Sequence, residues 1–129
     1  MQKTVYKNNI FTKIINKELN SNIIFEDPIT LIFQDIKPIA PIHLIAIPKE
    51  KYSSFSDFIQ KASTNQNRIF WNNINTIITK VTILTQGYKL IINTKGNGGQ
   101  LIDHFHVHIL GGTILEKISF SGKKAPKFL

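Results

Sequence analysis

The most constraining stretch of the chain runs from His104 to Gly112. Histidine alternates with apolar residues as His104-Phe105-His106-Val107-His108-Ile109-Leu110, and Gly111-Gly112 close the run. Successive side chains of an extended chain point to opposite faces. The run therefore predicts a strand over residues 103–110, with His104, His106 and His108 on one face and Phe105, Val107 and Ile109 on the other. The apolar set can enter a core, and that fixes where the histidines point. A fold that accepts this strand must bury one face of a sheet and keep polar chemistry on the opposite face.

The rest of the chain supplies the other strands and the helices. "NIFTKIINKEL" spaces Ile10, Phe11, Ile14 and Ile15 as one face of a short amphipathic helix. "NIIFED" and "ITLIFQD" read as two strands joined by a turn at Asp27-Pro28. "IKPIAP" is a stiff connector, because Pro38 and Pro41 fix φ, and "IHLIAIP" is a third strand. From about Ser53 to Thr85 apolar residues recur at helical intervals (Phe70, Ile74, Ile77, Ile78, Val81, Leu84), with a break expected near "STNQN". "YKLIIN" is a fourth strand and "TKGNGGQ" a loop before the histidine strand. The order predicts an α+β domain: a meander of about five antiparallel strands, helices to one side, and a long crossover helix between strands three and four. We expect one domain over residues 1–129, with a core over about 9–112 and a basic tail over 113–129.

Composition narrows the chemistry. The 129 residues include no cysteine, which excludes disulfides, thiolate ligands and a cysteine nucleophile. The formal net charge is +8, but the lysines are scattered and only Lys123-Lys124 are adjacent. Basic residues are not interleaved with aromatic ones, so a solvated surface is expected rather than a specific nucleic-acid site. No apolar stretch reaches the roughly 20 residues of a membrane span, and the start lacks the apolar core of a signal peptide. The expectation is a cytoplasmic protein with no membrane partner.

Three readings of the histidines compete. They could be incidental polar residues on a solvated strand. They could hold a metal, but same-face neighbours sit about 6.6 Å apart along a strand and His104 and His108 about 13 Å apart. One ion with bonds near 2 Å cannot easily take all three. A neighbouring pair with His43 could bind zinc, although no Glu or Cys lies close by in sequence to complete the usual set. The third reading is catalysis, since imidazole is a competent nucleophile near neutral pH. In that reading the central ring attacks a phosphoryl group while its neighbours orient it and donate hydrogen bonds. The loop "GNGGQ" fits, because glycine backbone can turn N–H groups toward an anion. It is not a P-loop, since the Gly-Lys-Ser/Thr ending is missing.

At this point the chain resembles the histidine triad (HIT) family, and within it the histidine triad nucleotide-binding (Hint) branch. "NIFTKIINKEL", "NIIFED", "FQDIKPIAPIHLIAIPK", "IINTKGNGGQ" and "HFHVHILGG" carry the resemblance in the family's order, over most of residues 9–112. It implies a nucleoside phosphoramidate hydrolase that needs no metal or other cofactor, any zinc at the histidines being adventitious. It implies that His106 is the nucleophile, that His104 and His108 flank it, and that His43 supports the cluster from the adjacent strand. Asn93 and the backbone around Gly99 and Gln100 would line the phosphate site together with His108. Asp35 would accept the ribose hydroxyls, and Ile10, Phe11, Ile14, Phe33 and Ile36 would form the base pocket. Taken singly, each has an ordinary structural explanation: a turn carboxylate, core residues, a strand-end asparagine, a structural histidine.

The expected ligand is therefore a purine nucleotide resembling AMP, with acyl-adenylates as related substrates. Two alternatives stand beside it: a non-catalytic nucleotide-binding or protein-interaction module on the same fold, and a dinucleoside polyphosphate hydrolase. The resemblance also implies a homodimer paired through the crossover helix and a strand, so that the sheet continues across both subunits. Ile69, Trp71 and Ile83 are apolar residues beyond the main helical stripe, although Trp71 could equally be core. The chain departs from the family pattern at Leu101, where a serine or other polar residue often helps the leaving group, and in its tail, which lacks the aromatic-proline ending of several relatives.

Overall fold

The structure is a computed structural model that describes residues 9–115. Helix α1 spans Ile10–Ile15. Strands β1 (Ile23–Glu26), β2 (Thr30–Gln34) and β3 (Ile42–Pro48) follow, then helices α2 (Phe55–Lys61) and α3 (Thr64–Lys80). A 3-10 turn over Thr82–Gln86 leads to β4 (Tyr88–Ile91), and a second over Gly96–Gly98 precedes β5 (Val107–Gly111). The tail lies outside the described residues from position 116 onward. No helix among the described residues is long and apolar enough to cross a membrane.

Local chemistry sets the element boundaries. The Asn9 side chain accepts from Thr12 N–H at 2.8 Å and starts α1. Ser54 caps α2 in the same way through Asp57 N–H. Ser63 and Gln66 form a capping box at the start of α3, which places the helical break at Ala62-Ser63. Asp27 Oδ1 accepts from the N–H groups of Ile29 and Thr30, turning the chain between β1 and β2. Asn73 of α3 then donates to Asp27 and to Thr30, tying the crossover helix to that hairpin.

The sheet is antiparallel throughout, with strand order β1-β2-β3-β5-β4. The sequence order predicts a plain meander, and the sheet departs from it after β3. The crossover lands the chain one strand away, and β5 fills the gap between β3 and β4. A second departure concerns the helices, which do not all lie to one side. On one face α2 and α3 cover Ile32, Leu44, Ala46, Phe105, Val107 and Ile109. On the other, α1 lays Phe11 and Ile14 over Leu31, Phe33, Ile45 and Ile47. Trp71 packs against Phe58, Phe70 and Phe105 and is part of the first layer.

The strand predicted over residues 103–110 is also shorter than expected. Its ladder with β3 begins at Ala46 and Val107. Ahead of it, Phe105 N–H donates to the Tyr52 carbonyl at 2.6 Å and His104 N–H to the Ile102 carbonyl at 2.8 Å. The alternation of faces nevertheless holds through this segment. Phe105 stacks on Phe58 at 4.9 Å between centroids, while His104 and His106 turn toward Phe11.

Candidate active site

A cavity of about 420 Å³ opens on the α1 face of the sheet. The predicted base-pocket residues Ile10, Phe11, Ile14, Phe33 and Ile36 all line it. Ile36 stands at the rim, 75% exposed. His106, His108, Asp35, Asn93 and Gly99 line the polar end. A larger cavity of about 500 Å³ lies elsewhere, between the Thr82–Gln86 turn, β4 and the residues after β5. Among the described residues it is lined by neither a histidine nor a carboxylate, so the smaller cavity is the candidate site.

The histidine rings are held by partners that dictate their tautomers. His106 Nδ1 lies 2.7 Å from the His104 carbonyl oxygen. A carbonyl only accepts, so Nδ1 carries the proton and Nε2 is left with a lone pair. The His106 ring stands edge-on to Phe11 at 4.9 Å and to His108 at 5.0 Å. His43 Nδ1 accepts from Ile39 N–H at 3.2 Å, so a neutral His43 carries its proton on Nε2. That nitrogen lies 3.0 Å from His108 Nδ1 and 3.3 Å from Asp35 Oδ2. Register explains the meeting of the two strands: His43 of β3 faces Leu110 and Ile45 faces His108, which brings the two imidazoles side by side on one face.

His104 is placed differently from its two partners in the motif. It is fully buried and does not line the cavity. Its Nε2 donates to the Pro48 carbonyl at 3.0 Å, and its Nδ1 is buried without a hydrogen-bond partner. His104 thus stands behind His106, supplying the carbonyl that orients it and an edge contact to Phe11 at 5.9 Å.

Burial keeps the cluster uncharged. Desolvation pushes His104 down to about 4, against the pull of the Pro48 carbonyl. It pushes His108 down to about 3, reinforced by the neighbouring His106 and His43. His106 and His43 are also lowered by burial, with Asp35 opposing the shift in both. A neutral imidazole with a lone pair facing a cavity is the state a nucleophile needs.

The loop before the histidines is built around Gln100. Its Oε1 accepts from Lys95 N–H at 2.8 Å, and its Nε2 donates to the Ser53 and Ile102 carbonyls at 2.7 and 2.9 Å. The Gln100 side chain therefore holds the loop, and the residue does not line the cavity. Gly99 takes the left-handed conformation at φ +79°, which glycine adopts at little cost. Lys95 has φ +57° and ψ −173°, a region populated almost only by glycine.

Other lining residues were not singled out from the sequence. Ile45 could have been found, because it shares the β3 face of His43 by the period of two. Asn20 and Ser21, in the connection after α1, and Lys37 and Ile102 carry no periodic signal. Asp35 also joins His43 and His108 as a third potential metal ligand, with ligand atoms within 4.8 Å of one another. Sequence spacing offered no carboxylate for such a set. A metal-bound imidazole normally donates its other N–H to an acceptor. His43 Nδ1 meets a donor instead, which puts a proton on the nitrogen an ion would need.

Comparison with known proteins agrees with this layout. The HIT domain model matches residues 16–114, and the chain belongs to the HIT family. A HIT-like protein of Rickettsia prowazekii is 47% identical over 106 residues, covering 82% of this chain and 88% of its own. The purine nucleoside phosphoramidase of Escherichia coli strain K12 is 36% identical over 107 residues, covering 80% of this chain and 86% of its own. Among solved structures, a HIT family hydrolase from Legionella pneumophila superposes with a TM-score of 0.77 at 30% identity, covering 88% of this chain and 97% of the other.

Proposed function

We propose that the protein hydrolyses purine nucleoside phosphoramidates, with acyl-adenylates as related substrates, through a covalent nucleotidyl-His106 intermediate and without a metal. The observation that carries this reading is the fixed tautomer of His106, whose Nδ1 is pinned by the His104 carbonyl and whose ring borders a cavity with an apolar wall and Asp35 at its polar end. A likeness to a purine nucleoside phosphoramidase supports it. The base lies among Phe11, Ile14 and Phe33, and the ribose diol donates to Asp35. His106 Nε2 attacks the α-phosphorus and the phosphorus–nitrogen bond to the amine breaks. The amine leaves with a proton taken from solvent water, and the ring keeps its own proton on Nδ1. Water then attacks the phosphorus, breaks the bond to Nε2 and frees the nucleoside monophosphate. Asn93, the Gly99 backbone and His108 donate to the phosphoryl oxygens as charge builds there.

The experiment is AMP release from an adenosine phosphoramidate, with rapid alkaline quench and intact mass to trap the adduct. We expect multiple turnover and a nucleotidyl adduct in the wild type, and neither in His106→Ala with AMP binding retained. AMP binding without turnover in the wild type would instead support a non-catalytic nucleotide-binding module.

The active unit in this reading is a homodimer. Among the described residues strand β4 is an edge of the sheet, and its Tyr88 and Leu90 are 48% and 40% exposed on the side where α3 packs. Pairing two β4 edges would cover both and continue the sheet. Sedimentation at micromolar concentration is expected to show a dimer, and a purely monomeric profile would contradict it.

A further inference from the structure

The hydrogen bond that pins His106 is the end of a longer chain. His106 Nδ1–H donates to the His104 carbonyl at 2.7 Å. The N–H of that same peptide unit belongs to Phe105, and it donates to the Tyr52 carbonyl at 2.6 Å. The N–H of the Tyr52-Ser53 unit in turn donates to Asp57 Oδ2 at 2.9 Å. Two peptide units therefore connect a carboxylate on α2 to the ring that borders the cavity. Asp57 itself does not line the cavity, since α2 lies on the opposite face of the sheet. Its carboxyl group is held below the usual carboxylate range, first by Lys61 and then by Ser53 N–H, against partial burial. Lys61 takes the other oxygen, Oδ1, at 2.8 Å, and its own side chain is mostly in solvent. Tyr52, His104 and Phe105, between the two ends, are buried.

We propose that Asp57 is a positioning residue for the chemical step: its carboxylate acts through the two peptide units to strengthen the hydrogen bond at His106 Nδ1 and make Nε2 the better nucleophile. The inference rests on the hydrolase reading above. In a planar peptide the N–H and C=O share one conjugated system, so an anion at the N–H adds negative charge to the carbonyl oxygen. Asp57 thus makes the Tyr52 carbonyl a stronger acceptor for Phe105 N–H, and that bond does the same for the His104 carbonyl. Burial keeps water from screening the chain. Burial also lowers the His106 pKa, and the His104 carbonyl opposes that shift first, then Asp35. No proton moves along the chain. When Nε2 bonds to phosphorus the ring becomes positive, and Nδ1–H donates more strongly to a carbonyl prepared for it. That gain appears only as the bond forms, so it bears on kcat and not on nucleotide binding.

The Nδ1 proton resonance of His106 in ligand-free protein, identified by its absence from His106→Ala, tests this without turnover. Asp57→Asn keeps an oxygen for Ser53 N–H and removes the charge. It should move that resonance upfield, toward a weaker bond, and lower kcat on the phosphoramidate about fivefold with AMP affinity unchanged. Asp57→Glu keeps the charge at a position from which glutamate also reaches back to the first N–H groups of a helix, and it should restore both. Asp57→Ala loses the acceptor altogether and should exceed Asp57→Asn in both effects. If Asp57 serves only to cap α2, the variants will lose stability while resonance and kcat stay as in wild type, and the proposal is overturned. A lower kcat with an unmoved resonance would overturn it too. Absence of turnover in the wild type would sink the hydrolase reading, and the resonance would still decide whether Asp57 acts on His106.

Discussion

The two faces of the sheet are built from the same strands and do opposite work. The face under α2 and α3 is sealed by aromatic rings. Phe58, Phe70 and Phe105 are each at most 1% exposed, and Phe105 stacks on Phe58 with an interplanar angle of 21°. The face under α1 is lined with apolar side chains but left hollow, and its rings at the polar end are imidazoles. One six-residue stretch, His104 to Ile109, feeds both: Phe105, Val107 and Ile109 go to the closed face and the histidines to the open one. The contrast shows how a strand can commit half its side chains to stability and leave the other half for chemistry.

The largest effects should come from truncating neighbours on opposite faces. Phe105→Ala removes a ring that touches Phe58, Phe70 and Trp71. It should cost about 3–5 kcal/mol of stability by urea unfolding. His106→Ala opens space into an existing cavity and releases one carbonyl, so it should cost about 1–2 kcal/mol. Its activity should fall at least about a thousandfold. Equal stability losses in the two variants would erase the division between the faces.

Acid should attack the open face selectively. His104 titrates near 6.5 when unfolded and at about 4 in the fold, because burial disfavours its charge. Between those values the unfolded chain binds the extra proton, so stability rises with pH across the window and is lost as pH falls through it. His104 alone contributes about 1.4 kcal/mol for each pH unit of that window, and His108, held at about 3, adds in the same direction. Urea midpoints should therefore drop steeply from about pH 6.5 to about pH 4. A flat profile would mean that these rings are hydrated.

Much of this division was legible in the sequence, and the reason is periodicity. Alternation along residues 104–109 assigned the faces, and the helical spacing of Phe70, Ile74 and Ile77 located the crossover helix. Asp35, His43 and the apolar wall became site residues only through their joint resemblance to a family. What could not be read depends on distant carbonyls. Nothing local indicates that His104 turns to Pro48 and leaves the cavity to His106 and His108, or that Gln100 spends its side chain on Ser53. Strand order was equally hidden, since placing β5 between β3 and β4 is a choice of long-range pairing.

A smaller effect is expected at the cavity mouth. Leu101 lines the cavity and is 89% exposed, with no donor to offer a departing amine. Leu101→Ser should raise kcat/KM on a phosphoramidate about tenfold, below the usual range for a well-placed acid because a hydroxyl is a weak one. A substrate whose leaving group needs no proton should show no gain, and stability should stay within about 0.5 kcal/mol. An equal gain on both substrates would assign Leu101 a steric role instead.

The smallest effect concerns what the open face costs to build. Lys95 sits at φ +57° and ψ −173°, where a side chain is strained by about 1–3 kcal/mol. The conformation is held from both ends: its N–H donates to Gln100 Oε1, and its carbonyl accepts from Gly98 and Gln100 N–H at 3.2 and 3.0 Å. Lys95→Gly removes the strain while adding about 0.5–1 kcal/mol of unfolded-state entropy. The balance favours a net gain of about 1 kcal/mol in urea unfolding. Stabilisation with unchanged nucleotide affinity would show that the loop stores strain its ligand does not use. Destabilisation would mean that the lysine side chain itself anchors the loop, and would move the cost of the open face from this backbone to the buried imidazoles.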